Sequence, residues 1–145
     1  MKQTDLEIID CLRQGRISIS EMARKLKMPI STVRDRIKNI EEKFVVKHSS
    51  LLDYSKLGYS SNAILAVKIS PKEKKDFLKF LKRQSCVNSI YHINSGFNFL
   101  IELVCKDNFA LRNWIEEIKS AYFLEIILFQ ILKTEEKEKF IPKNG

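Results

Sequence analysis

No Cys-x-x-Cys pair occurs anywhere in the chain, and His48 and His92 stand alone, so the spacing that holds a structural zinc ion is missing and no metal is expected. Cys11, Cys86 and Cys105 are odd in number, widely separated and set in apolar periodic segments, which reads as small buried hydrophobes rather than a disulfide framework. Apolar runs all fall short of the roughly 20 residues that span a bilayer, and residues 1–20 lack a secretory core, so the expected location is the cytoplasm, away from membranes. No cluster of reactive groups stands out, which leaves no cofactor and no catalysis to expect.

What the chain does carry is positive charge. Its 26 Lys and Arg against 18 Asp and Glu give +8, the balance of a protein that meets a polyanion. Twelve basic and eight acidic residues lie up to Ser60, and fourteen and ten follow it, so charge alone singles out neither part. Helical patterning does. From Ile17 to Lys43, Ser18 and Glu21 form a capping box, and Ile19, Met22, Ala23 and Leu26 recur at helical spacing. Pro29 disfavours helix at Met28, so the first helix ends near Lys27, and the proline can sit in the first turn of the next. In that second helix Ile30, Val33, Ile37, Ile40 and Phe44 follow one apolar stripe, and Ser31, Asp35 and Lys38 point away from it, with Thr32 and Arg34 on its shoulders. Two short helices and a sharp turn are the pattern of a helix-turn-helix. Between Arg24 and His48 eight basic residues face three acidic ones, a patch suited to phosphates.

The candidate contacts to double-stranded DNA are therefore Ser31, Thr32, Arg34, Asp35 and Lys38, with Arg24 and Lys27 as phosphate contacts. Arg36 and Glu41 border the apolar stripe and read as an intradomain structural pair. A further capping box, Thr4 to Glu7, opens a first helix that Gly15 ends. After Lys43 the run FVVKHSSLL is β-prone and reads as a short strand or wing, and Asp53, Ser55 and Gly58 mark a hinge; the domain boundary falls near Tyr59.

Beyond it the period changes. Strands are expected at 62–69, 87–93, 97–104 and 124–132, with helices at 72–83 and 108–122, the second capped by Asp107. The order βαββαβ folds as a ferredoxin-like sandwich with both helices on one face of the sheet, so the fold class is α+β: a helix-turn-helix domain, 1–59, and a ferredoxin-like domain, 60–145. Apolar residues on both faces of AILAVKI and EIILFQIL leave a sheet face for a second copy, hence a homodimer. The tail from Thr134 to Gly145 reads as mobile or as one added edge segment.

This layout resembles the Lrp/AsnC family of leucine-responsive, feast/famine transcription regulators over nearly the entire chain. The matching residues are Asp5, Ile8, Ile9 and Leu12; Gly15-Arg16, Met22-Ala23 and Leu26; Ser31-Thr32-Val33, Arg36-Ile37 and Ile40-Glu41; Leu57-Gly58; and Val87 with Ser95-Gly96. The resemblance implies a sequence-specific regulator, dimeric or assembled further to tetramer or octamer, with an amino-acid effector bound between dimers. It places that effector near Asn94, Ser95, Gly96 and Asn98, where the family's aspartate is replaced by Phe99 or Asn98. Lys27 and Pro29 stand where such turns usually have Gly and a Ser cap. The other readings are a tetrapyrrole decarboxylase of the same layout using His48 or His92, and an architectural DNA binder without operator preference.

Overall fold

Helix α1 (Gln3–Gln14), α2 (Ile19–Leu26) and α3 (Ile30–Phe44) enclose a small core in the computed structural model, which describes residues 1–143. At the start of α1 the Asp5 carboxylate accepts from the Lys2 backbone N–H at 3.3 Å, so the helix opens before Thr4, not at a Thr4–Glu7 box. Thr4 lies inside the first turn, where its hydroxyl is taken by Arg36. Gly15 ends α1 at φ 117°, a conformation that favours glycine.

The Ser18 box at the head of α2 is reciprocal. Ser18 Oγ accepts from the Glu21 N–H at 3.1 Å, and the Glu21 carboxylate accepts from the Ser18 N–H at 3.0 Å. The Ser18 N–H first, and then the Ser18 hydroxyl donating to the same carboxylate at 3.0 Å, hold the Glu21 carboxyl below the usual carboxylate range. Lys27 then turns left-handed, φ 52° and ψ 46°, and its N–H closes on Ala23 and Arg24 carbonyls. Pro29 stands one position ahead of α3, as its N-cap, with no N–H to leave unpaired.

Ile8, Cys11, Met22, Ala23, Val33 and Ile40 fill the core of this unit. Of the apolar stripe on α3, Val33 and Ile40 are buried, but Ile30 and Phe44 remain 46% and 55% exposed, because crossing helices touch over only a few turns. The run after Phe44 is extended at Val45 yet pairs with no strand, since no second strand lies beside it. In the tail expected to be mobile or an edge segment, residues 138–143 instead lie along α1. Arg13 donates to the carbonyls of Glu138 and, at 3.1 Å, Phe140, and pairs with the Glu138 carboxylate at 3.5 Å. One compact unit is thus Met1–Leu51 with the segment from Glu136 onward; the other is Leu52–Glu135. This division differs from one at Tyr59 because contacts, unlike hinge residues, follow the returning chain.

The second unit has strands β1 (Ser61–Ile69), β2 (Val87–His92), β3 (Phe99–Cys105) and β4 (Leu124–Gln130), with helices α4 (Lys74–Lys82) and α5 (Asn108–Ala121). The sheet runs β2-β3-β1-β4 with every pair antiparallel, the ferredoxin-like order. Alternate residues Ala63, Leu65, Val67 and Ile69 of β1 and Phe99, Ile101 and Leu103 of β3 face Phe77 and Leu81 of α4 and Leu111, Trp114, Ile115 and Ile118 of α5. Phe77 sits among Phe80, Phe99 and Tyr122 rings at 5.0–6.3 Å. Burial of one such side chain stabilises by about 1.5–3 kcal/mol. Asp107 Oδ1 caps α5 by accepting from the Ala110 N–H at 2.8 Å, as its sequence position implies.

β3 starts at Phe99 rather than Phe97, because Asn98 is spent on holding the strand end. Its N–H donates to the Val67 carbonyl at 2.8 Å and its Oδ1 accepts from the Ile69 N–H at 2.7 Å. Tertiary structure also brings together two cysteines that sequence kept apart: Cys86 and Cys105 are free thiols close enough for each to shift the other's titration. Burial, helped by the neighbouring sulfur, pushes Cys86 up to about 11.

Among the described residues, none packs over the opposite face of this sheet to bury it. In register across it run Tyr91, Leu100, Ala66 and Ile127, then Ser89, Glu102, Ile64 and Phe129. Tyr91, Ile127 and Phe129 are half exposed there.

Candidate nucleic-acid interface

With Val33 and Ile40 pinned inward, the 3.6-residue period turns Ser31, Arg34, Asp35 and Lys38 outward at i, i+3, i+4 and i+7, and all four are exposed. Thr32 lies half-buried on the shoulder. Among the described residues the side chains of Ser31, Thr32, Arg34, Asp35 and Lys38 make no hydrogen bond or ion pair. Two cations, a carboxylate and a hydroxyl are therefore presented as one row with their full bonding capacity unspent.

Arg36 is used differently. Its guanidinium donates to Asp5 Oδ1 at 2.7 Å and Thr4 Oγ1 at 2.8 Å, locking α3 to α1. It does not pair with Glu41, as sequence suggested, because both lie on one helix facing different neighbours; Glu41 meets the His48 ring at 3.1 Å. Both residues are intradomain, each with another partner.

Arg24 and Lys27 are exposed on α2 and in the turn after it. Arg24, with Arg16 and Lys25, borders an open depression of about 550 Å³ beside the start of α2. Sequence reasoning passed over Arg16 and Lys25 as contacts; their nearness to Arg24 in the fold is what groups them. It also counted Ile30 as core, whereas this residue stands exposed at the N-terminal end of α3.

The candidate effector turn lies in the other unit. Ser95 and Gly96 take positive φ, 64° and 89°, and Ser95 Oγ donates to Asn94 Oδ1 at 3.3 Å. Asn98, bonded to β1, holds this turn in place. His92 packs its ring on Phe99 at 4.9 Å. Among the described residues no group of His, Cys, Asp and Glu could hold a metal ion, and no helix is long and apolar enough to cross a membrane.

Residues 1–43 match a family described as winged helix-turn-helix DNA-binding. An uncharacterised HTH-type transcriptional regulator of Pyrococcus abyssi is 24% identical over 142 residues, 97% of each chain. Among solved structures, a transcriptional regulator of Neisseria meningitidis in complex with L-Met superposes with a TM-score of 0.88 at 18% identity, over 98% of this chain and 96% of that one. AsnC of E. coli superposes with a TM-score of 0.86 at 17% identity, over 98% and 99%.

Proposed function

We propose that this chain, which has the two-domain fold of the Lrp/AsnC regulators, is a sequence-specific DNA-binding transcription regulator that works as a homodimer. The observation that carries the reading is the unspent row Ser31, Arg34, Asp35 and Lys38 on α3, next to an Arg36 that is spent on α1. Arg34 and Lys38 suit guanine edges or phosphates, Asp35 a cytosine amino group, the hydroxyls of Ser31 and Thr32 a phosphate, and Ile30 a thymine methyl. Arg24 and Lys27 act as phosphate contacts that set the register of α3. A second copy covers the apolar sheet face, and two-fold symmetry then asks for half-sites about one helical turn apart. Catalysis has no part in this reading. His48 is occupied with Glu41 and His92 with Phe99, which supports a binding protein over a decarboxylase.

The Neisseria relative's complex with L-Met supports an amino-acid effector here as well. We assign its contact to Asn94, Ser95 and Gly96, with Asn98 as the residue that holds their turn. Selection of bound sequences from random DNA, repeated with and without an amino-acid mixture, tests both parts. A defined two-fold motif that Lys38→Ala loses is expected; recovery of unrelated sequences with equal affinity would make the protein an architectural binder instead.

A further inference from the structure

The second unit carries twelve cations against nine anions, yet residues 72–83 alone hold six against two, so one short segment carries all of the unit's excess positive charge. Its placement is not diffuse. On α4, Phe77 and Leu81 are buried against the sheet, and Lys75, Lys79, Lys82 and Arg83 form an exposed stripe at i, i+4, i+7 and i+8, with exposed Lys72 leading into it from the preceding turn. Among the described residues none of these five makes an ion pair. Glu73 is turned to Ser70, whose hydroxyl donates to it at 3.0 Å, and Asp76 is left as the single exposed acid on the helix.

A solvated helix face does not call for this pattern. The neighbouring α5 shows what such a face looks like, with Arg112 and Lys119 balanced by Glu116 and Glu117, and Lys119 within 3.8 Å of Glu116. Like charges four residues apart, as in Lys75–Lys79 and Lys79–Arg83, destabilise a helix. The helix dipole explains Lys82 and Arg83 at the C-terminal end but opposes Lys75 in the first turn. A stripe held against repulsion and dipole is accounted for by a partner of opposite charge.

We propose that α4 is a second DNA-backbone contact, resting on the reading that the chain binds DNA. The nine residues from Lys75 to Arg83 extend ~12 Å, the rise along the DNA axis of three to four phosphates of one strand at ~3.4 Å each. The helix covers the core face of the sheet, so a copy docked on the opposite face leaves the stripe open. DNA longer than the two half-sites is held by it through phosphates alone, without sequence readout.

The test is the salt dependence of full-length protein binding to a 150-base-pair mixed-sequence duplex. Wild type is compared with Lys75→Gln/Lys79→Gln/Lys82→Gln and, separately, with Lys38→Ala. Gln keeps helix propensity near that of Lys, and far-UV circular dichroism checks the fold. The triple variant is expected to lower the steepness of log K against log salt by about 3, at 0.9 per phosphate, and to weaken binding about tenfold or more at low salt. An unchanged slope overturns the proposal, as does loss of binding to phosphatidylserine vesicles with the DNA slope intact. If Lys38→Ala has no effect while the triple variant does, the reading of α3 fails and this one stands.

Discussion

The guanidinium of Arg36 in α3 meets the Asp5 carboxylate of α1 at 2.7 Å, each side chain only about a quarter exposed (27% and 23%), so α3 is pinned by a charged bond to the first helix. A charge-assisted bond of this kind fixes rotation as well as distance, because guanidinium geometry is planar. It decides which residues of α3 look outward.

Asp5→Ala is accordingly expected to destabilise the chain by about 1–2 kcal/mol in urea unfolding, between the values for an exposed pair and for a hydrogen bond to a charged group. It is also expected to weaken DNA binding without removing any contact residue. Asp5→Asn, which keeps an acceptor, should recover part of both.

Ile127 stands 45% exposed in the middle of the uncovered sheet face, in register with Ala66 and Leu100. Ile127→Lys places an unpaired charge where the proposed second copy would dock, at an expected cost of about 3–5 kcal/mol. Sedimentation should show dimer association weakened at least a hundredfold, with monomer the main species, while thermal melting of the monomer stays cooperative. A wild-type monomer at micromolar concentration would end the dimer reading.

Cys86 should resist alkylation in the native state. Its thiol is raised from an ordinary 9.0 to about 11, so iodoacetamide at pH 8 finds little thiolate there, and labelling accelerates only as pH climbs toward 11. The same shift ties pH to stability. A folded value above the unfolded one means the contribution is full below about 9.0 and is lost as pH rises through about 11. Alkaline unfolding compared with Cys86→Ser checks the sign.

Local signals were legible where a side chain answers to its own helix. Ser18 with Glu21, Asp107 ahead of α5, and the inward run Leu111, Trp114, Ile115 and Ile118 are all as patterned, because caps and helical periodicity involve residues within four positions. The row Ser31, Arg34, Asp35, Lys38 follows from the same period. Illegible were the choices made between distant groups. Arg36 takes Asp5 rather than Glu41, Asn98 turns from the 94–96 turn to the Ile69 amide, and the tail returns to Arg13.

By itself, then, the sequence determined that there is a helix pair with a basic outer face and a βαββαβ unit with one apolar face to spare, since burial period and short-range capping are written residue by residue. Only the tertiary structure decided which charges are spent and which are free. A pairing between residues 29, 31 or 125 positions apart depends on how the whole chain closes, and no local pattern encodes it. That distinction separates Arg36, a residue that holds the fold, from its neighbours Arg34 and Lys38, exposed and without a partner among the described residues.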